Sequence, residues 1–220
     1  MHTTLHPLLA QGADGATAIS APGRPALDFA GLRALIADTT ARLNALGLGR
    51  NDRVAIVLAN GPEMATCFVA CASAFASAPL NPAYRADEFD FYLSDLGAKA
   101  LIVERGSTSP AIEVALKHGV RVLDLVVADG APAGRFTLEP REPYGGLGAA
   151  LPGPAQADDL SMLLHTSGTT SRPKIVPIAQ KNLAASAQHI ARTLQFTPSD
   201  CGLNIMPLFH IHGLIAGVLA

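Results

Sequence analysis

One short segment of this sequence concentrates residue types that bind phosphate groups. It runs from His165 to Lys174, reads HTSGTTSRPK, and carries five hydroxyl side chains, one glycine and two cations. Hydroxyls and backbone N–H groups donate hydrogen bonds to phosphate oxygens, and a lysine supplies charge that balances a polyphosphate. Lysine occurs only four times, at positions 99, 117, 174 and 181, so its place here favours a functional role. The residues predicted to bind a nucleotide are Thr166, Ser167, Gly168, Thr169, Thr170, Ser171 and Lys174.

The segment differs from the common nucleotide-binding loop GxxxxGK[ST]. Pro173 occupies the second glycine position, and Ile175 follows the lysine where that loop has a hydroxyl. That loop also needs a helix beginning at the lysine, whereas the residues after Lys174 favour an extended strand. A P-loop kinase or ATPase is therefore disfavoured, and the phosphates would be held by side chains at the tip of a strand–loop–strand hairpin. Composition alone leaves a Ser/Thr-rich surface turn equally open.

The elements predicted around this segment alternate between strands and helices. The apolar run 53–59 is typical of a parallel strand covered on both faces, and capping residues and helical apolar spacing mark the helices. The alternation predicts an α/β fold in which helices are layered on mixed, largely parallel sheets. The predicted strands are 53–59, 79–80, 100–103, 120–127, 160–165, 175–178 and 203–206, and the predicted helices are 28–46, 62–77, 87–96, 109–119 and 179–194.

Composition divides the chain into two parts. Residues 1–157 are predicted to form an N-terminal α/β subdomain that ends in a Pro/Gly-rich connector from about residue 128. Residues 158–220 are predicted to begin a nucleotide-binding region that is incomplete at its C-terminus. The stretch 214–220 is apolar or glycine throughout and has no cap or polar tail, so we expect the chain to be the N-terminal part of a longer protein.

Charge and cysteine content exclude several classes of protein. The net charge is −2 and 15% of residues are charged, which disfavours a nucleic-acid partner. The three cysteines form no disulfide framework or CxxC motif. His210 and His212 have no third ligand spaced near them, so no metal site is predicted. The uncharged stretch 64–84 is broken by prolines and reads as a buried helix and turn, not a membrane span; a cytoplasmic location is expected.

The hydroxyl-rich segment resembles the phosphate-binding signature of the adenylate-forming superfamily, written [ST]SG[ST]TGxPKG. This superfamily contains acyl-CoA synthetases, luciferases and nonribosomal-peptide adenylation domains. Ser171 and Ile175 replace the two last glycines of the signature, and the form TSGTTSRPK resembles a subset that contains oxalate–CoA ligases and related short-chain acyl-CoA ligases. Three further blocks are similar to the superfamily: residues 52–63, 78–99 and 206–214.

The resemblance implies the N-terminal portion of an ATP-dependent acyl-CoA synthetase. Such an enzyme joins a small carboxylate to ATP, releases pyrophosphate, and passes the acyl group to coenzyme A, with Mg²⁺ accompanying ATP. The resemblance assigns Lys174 and the hydroxyls of the segment to the β- and γ-phosphates. Much of the superfamily's machinery would lie beyond residue 220, so we expect this piece to have no turnover alone.

The resemblance also gives His210 a catalytic role. By position it matches the superfamily histidine that lies near the acyl carboxylate and the α-phosphate, where an imidazole can stabilise negative charge. The alternative is a non-catalytic protein, either a degenerate synthetase or an assembly module. Ile175 favours that alternative, because a β-branched residue stiffens the exit of the segment. The identity of the carboxylate and the oligomeric state stay open.

Overall fold

A computed structural model describes residues 2–143, 148–166 and 173–220. The strands in these ranges are β1 Thr17–Ile19, β2 Leu27–Asp28, β3 Arg53–Val57, β4 Ala76–Pro79, β5 Ala100–Glu104, β6 Arg121–Val126, β7 Thr137–Pro140, β8 Leu160–His165 and β9 Ile175–Ala179. The helices there are α1 Leu5–Leu9, α2 Phe29–Ala45, α3 Pro62–Ala72, α4 Ala86–Leu96, α5 Ala111–Lys117, α6 Gln180–Thr193 and α7 Ile211–Leu214, which continues as a π-helix at Ile215–Leu219.

A mixed sheet of seven strands, counted over the described residues, organises the fold. Its order is β7-β6-β5-β3-β4-β8-β9, and a separate antiparallel pair is formed by β1 and β2. The five inner strands are parallel to one another, whereas β7 and β9 run antiparallel at the two edges. The predicted α/β class with a largely parallel sheet is therefore confirmed.

Helices cover both faces of the sheet because the strand residues alternate in direction. Val54 and Ile56 of β3 pack in a core with α2, α3 and α6, whereas Ala55 and Val57 pack in a second core with α4 and α5. Both sets are at most 4% exposed, as expected for a parallel strand buried on two faces. The alanine-rich α3 is buried in the first core, and the described chain contains no helix that is both long and apolar enough to cross a membrane.

The ends of the elements depend on local signals that the sequence displays. The Asp28 side chain accepts a hydrogen bond from the Gly31 N–H at 2.7 Å and so caps α2. Pro62 begins α3 in the first helical position. The predicted helix 62–77 is wrong in its last five residues, because α3 ends at Ala72 and residues 76–79 form β4 and hydrogen bond to β3 instead.

The predicted connector 128–157 is not irregular throughout. Residues 137–140 form β7, which pairs with β6, and the apolar Phe136 and Leu138 are buried under the sheet. Its Gly134 is fixed to α3, since its N–H donates to Glu63 at 2.9 Å and its carbonyl accepts from Thr66 at 2.7 Å. The predicted division at residue 157 stays a prediction; β8 and β9 share the same sheet as β3–β7.

The predicted strand 203–206 is wrong. These residues, all of them described, have neither helix nor strand geometry, and Leu203 and Ile205 are 89% and 78% exposed. Strand propensity reflects packing on a half-buried sheet surface, and no described strand pairs with this segment. The segment instead is an irregular connection that leads to His210.

Asp159 fixes the start of β8, the strand that leads into the hydroxyl-rich segment. Its carboxylate accepts hydrogen bonds from the Gln156 N–H at 2.7 Å, from Asn51 at 2.8 Å and from Arg50 at 3.2 Å. Asn51 also accepts from the Leu160 N–H at 2.7 Å. Partial burial acts to raise the pKa of Asp159, but these hydrogen bonds and the Arg50 charge hold that pKa below its usual value.

We expect Asp159→Ala to lower the free energy of unfolding of the chain by about 2 kcal/mol at pH 7, because hydrogen bonds to a carboxylate are lost. A carboxyl whose folded pKa is depressed stabilises the fold above its unfolded pKa, near 3.9, and this stabilisation is lost as pH falls through the lower folded pKa. Urea unfolding at pH 7 and at pH 3 measures both effects. Asp158→Ala is the control, since Asp158 is 84% exposed and pairs only with Lys181 among described residues; an equal loss there would contradict the assignment.

Candidate functional site

The candidate site lies at the edge of the sheet where the inner parallel strands end. Because β3, β4 and β8 are parallel, the residues that follow them emerge at the same edge. Those residues are Asn60 after β3, Asn81 after β4 and Thr166 after β8. Ligands of open α/β sheets bind outside the carboxyl ends of the strands, so this edge is where a nucleotide site is expected.

Strands β8 and β9 form the antiparallel hairpin that the sequence predicts, with His165 opposite Ile175. At its tip the Thr166 N–H donates to the Lys174 carbonyl at 2.9 Å, and the Lys174 N–H donates to the Thr166 hydroxyl at 3.3 Å. Thr166 and Lys174 therefore face each other at the base of the segment. Lys174 is exposed, and no ion pair joins its ammonium to a described side chain.

Five of the predicted nucleotide-binding residues lie outside the described residues: Ser167, Gly168, Thr169, Thr170 and Ser171. Their assignment stays a prediction. Ile175, which departs from the superfamily signature, is the first residue of β9 and packs partly buried against the second core. A β-branched residue suits that strand position, so its presence has a structural reason.

His210 stands at the start of α7, on the same edge of the molecule as His165 at the end of β8. Its N–H donates to the Pro207 carbonyl at 3.2 Å, and its own carbonyl accepts from the Leu214 N–H at 3.2 Å. A Cβ on Gly213 would lie 2.5 Å from the Pro207 oxygen, so only glycine permits this tight turn. The His210 ring lies against Phe209, with centroids 4.6 Å apart.

A cleft of about 130 Å³ brings His210 next to the ends of β4 and β8. Its lining residues are Pro79, Leu80, Asn81, Tyr84, Tyr92, Leu164, His165, Phe209, His210 and Ile211. The lining therefore includes five polar side chains: two imidazoles, one carboxamide and two phenols. Thr166 follows the lining residue His165 directly in the chain, which places the base of the hydroxyl-rich segment at the rim of this cleft.

His165 is the site residue to which sequence reasoning assigned no role. Its Nε2 lies 3.0 Å from an Asp95 carboxylate oxygen, and its ring meets Tyr92 edge to face at 4.6 Å. Only 6% of its side chain is exposed.

Tyr84 stacks on Tyr92 with ring centroids 4.7 Å apart. Burial, and to a smaller extent the hydrogen bond to Tyr92, raises the pKa of Tyr84 well above its usual value. Both phenols therefore line the cleft while Tyr84 keeps its proton.

The spacing of Tyr92 and Asp95 on α4 is a signal that could have indicated this cluster, because residues three apart share a helix face. The spacing on α4 does not indicate their partner His165, which lies 70 residues after Asp95 at the end of β8.

Within the described ranges, no group of three or more His, Cys, Asp or Glu side chains is placed to hold a metal ion. Cys67 and Cys71 are buried in α3, and burial raises the pKa of the Cys67 thiol, which suits packing.

Residues 10–220 match the family model described as AMP-binding enzyme. This chain belongs to that family. The AMP-binding family is the one that the residues of the hydroxyl-rich segment predict, so the resemblance drawn from the sequence is confirmed.

Relatives and solved structures agree with this assignment. The chain is 38% identical over 205 residues to an oxalate–CoA ligase of Arabidopsis thaliana, covering 92% of this chain and 40% of that protein. It is 39% identical over 191 residues to an oxalate–CoA ligase of Saccharomyces cerevisiae, covering 78% of this chain and 35% of that protein. Its fold matches ATP-bound MatB from Rhodopseudomonas palustris with a TM-score of 0.79 and 28% identity, over 99% of this chain and 43% of that one. The chain thus spans about 40% of the length of these relatives.

Proposed function

We propose that this chain forms the N-terminal part of an ATP-dependent acyl-CoA synthetase. The observation that carries the proposal is the β8–β9 hairpin, which presents Thr166 and Lys174 at the carboxyl edge of the sheet beside the cleft of His210. The family match and the CoA ligases among its relatives support it. The complete enzyme would use ATP, a small carboxylate and coenzyme A.

In the first step a carboxylate oxygen forms a bond to the α-phosphorus of ATP. The bond from that phosphorus to the oxygen bridging to the β-phosphate breaks, and pyrophosphate leaves with the electron pair. Thr166, Lys174 and the hydroxyls between them would hold the β- and γ-phosphates as charge grows on the leaving group. His210 would donate a hydrogen bond where negative charge develops between the carboxylate and the α-phosphate. In the second step coenzyme A displaces AMP and forms the thioester.

Mg²⁺ would accompany the phosphates of ATP. The described residues offer no set of three carboxylate or imidazole ligands for it, so no step is assigned to protein-held metal in this chain. The oxalate–CoA ligases among the relatives make short carboxylates the first substrates to test. A cytoplasmic location belongs to the same proposal.

Carboxylate-dependent exchange of pyrophosphate into ATP tests this function. We expect the complete enzyme to catalyse exchange with at least one member of a panel of oxalate, malonate, acetate and octanoate, and to form the matching CoA thioester. We expect residues 1–220 alone to give none, because this chain spans about 40% of its relatives' length. Absence of exchange and of thioester with every carboxylate would support the non-catalytic alternative that Ile175 raises.

A further inference from the structure

Asn60 joins the end of β3 to the segment that carries His210. Its amide nitrogen donates to the Met206 carbonyl at 3.1 Å, and its amide oxygen accepts from the Leu208 N–H at 2.9 Å. One carboxamide thus satisfies a carbonyl and an N–H two residues apart. The two contacts span 146 and 148 residues of sequence, so they fix the distance between two distant parts of the chain.

Other side-chain bonds of the segment before His210 are internal to this part of the chain: the Asn204 amide nitrogen donates to the Gly213 carbonyl at 3.0 Å, and its amide oxygen accepts from the Met206 N–H at 3.0 Å. Residues 201–206 form no helix or strand, and Leu203 and Ile205 project into solvent. Leu208 is 6% exposed and packs in the first core. This packing attaches the segment to the core but does not fix its position along the edge of the sheet. Asn60 fixes that position, because hydrogen bonds are directional whereas apolar packing is not.

Asn60 lies three residues after β3, a strand in the interior of the sheet. Strand β3 lies between β4 and β5 in the sheet, and its residues Val54 to Val57 are at most 4% exposed. After β3 the chain passes Asn60 and enters α3 at Pro62. A side chain anchored there can transmit the position of the sheet to a segment that lacks its own regular structure.

We propose that Asn60 is a positioning residue for the adenylation step, acting through His210; this inference rests on the proposed function. By bonding Met206 and Leu208 it places the start of α7, and hence the imidazole, over the ends of the parallel strands where Thr166 and Lys174 also lie. Asn60 itself does not line the cleft. A carboxamide suits this role because it offers a donor and an acceptor from the same group.

Variants of Asn60 in the complete enzyme test the role in catalysis. Asn60→Ala is expected to lower kcat for pyrophosphate exchange by about 10- to 100-fold, the cost of misplacing a catalytic group by about 1 Å. The KM for ATP should change little, because the hydroxyl-rich segment is untouched. Asn60→Asp keeps the acceptor for the Leu208 N–H but loses the donor to Met206. Its kcat should therefore lie between that of the unmodified enzyme and that of Asn60→Ala.

Asn44→Ala is the matched control. Asn44 also uses its carboxamide for two backbone contacts, donating to the Leu48 carbonyl at 2.8 Å and accepting from the Gly153 N–H at 2.9 Å. It stands on α2, outside the cleft. Its loss should affect stability about as much as the loss of Asn60 while leaving kcat unchanged. An equal fall in kcat for both variants would overturn the positioning role.

A double variant shows whether Asn60 acts through His210. If it does, Asn60→Ala should add almost no further loss of kcat to His210→Ala, since coupled residues are not additive. Full additivity would overturn the proposal, because it would mean that Asn60 affects exchange by another route.

Amide hydrogen exchange tests the contact without any reference to activity. Exchange of the Leu208 N–H should be about fivefold faster in Asn60→Ala, the factor that loss of one ordinary hydrogen bond gives, while exchange of the Gly153 N–H stays unchanged. If the unmodified enzyme shows no adenylation, the proposed function fails, yet this measurement still reports on the contact. Unchanged Leu208 exchange would overturn the inference even in an active enzyme.

Discussion

Replacing Lys174 by alanine in the complete enzyme will lower carboxylate-dependent pyrophosphate exchange by about 100-fold or more, as expected when a charged contact to a transition-state anion is removed. Pyrophosphate gains charge as it leaves, and Lys174 stands at the base of the hairpin tip, facing Thr166. No ion pair with a described side chain competes for its ammonium. The loss should fall mainly on kcat, with a smaller rise in the KM for ATP, because the interaction strengthens as the leaving group forms.

Two further variants separate charge from geometry. Lys174→Arg keeps the charge but replaces a compact ammonium with a planar guanidinium, so we expect partial activity. Lys181→Ala removes a lysine beyond the opposite end of β9, in α6, where it pairs with Asp158 at 2.5 Å, and it should leave exchange unchanged. Exchange that survives Lys174→Ala at the unmodified rate would mean that the hairpin tip has only a structural role.

The parallel strands and the hairpin could be predicted because their signals are local. Strand β3 is a continuous apolar run, and a strand buried on both faces needs such a run. The start of α2 follows from one capping residue, Asp28, and the start of α3 from Pro62. Each signal lies within a few residues of the element that it specifies, so the local sequence is sufficient to locate that element.

Two of the errors in the strand prediction have a common cause. Strand β7 contains Glu139 and Pro140 and looks like connector, but its pairing with β6 makes it an edge strand, where proline and charge are tolerated. Residues 203–206 look like a strand, but they have no pairing partner among the described strands. In both cases the outcome depends on a neighbour in space, which a local pattern does not contain.

The site shows the same limit. The resemblance drew attention to Lys174 and His210, because both lie in short motifs. The pair of His165 with Asp95 joins residues 70 apart, and the bonds of Asn60 reach Met206 and Leu208 across about twice that span. Only the parallel order of β3, β4 and β8 brings these residues to one edge, so their roles emerge from topology.

His210→Ala is expected to lower exchange by about 100- to 1,000-fold, the usual cost of removing one donor aimed at developing negative charge. The imidazole stands in the cleft at the ends of β4 and β8, and the tight turn at Gly213 together with the buried Leu214 keeps α7 in place without it. The variant should therefore fold normally. The defect should appear in kcat with every carboxylate that the enzyme accepts, since the charge that His210 stabilises develops in the same reaction each time.

Substitutions at the same position distinguish a donor from a packing residue. His210→Gln retains an N–H donor of similar reach and should recover part of the lost rate, whereas His210→Leu retains bulk beside Phe209 and should recover none. His189→Ala, an exposed histidine on α6, is the control and should exchange at the unmodified rate. If His210→Leu were as active as the unmodified enzyme, the ring would serve only to pack against Phe209. The developing charge would then need another donor in the cleft, and His165 is the first to examine because it is the other imidazole there.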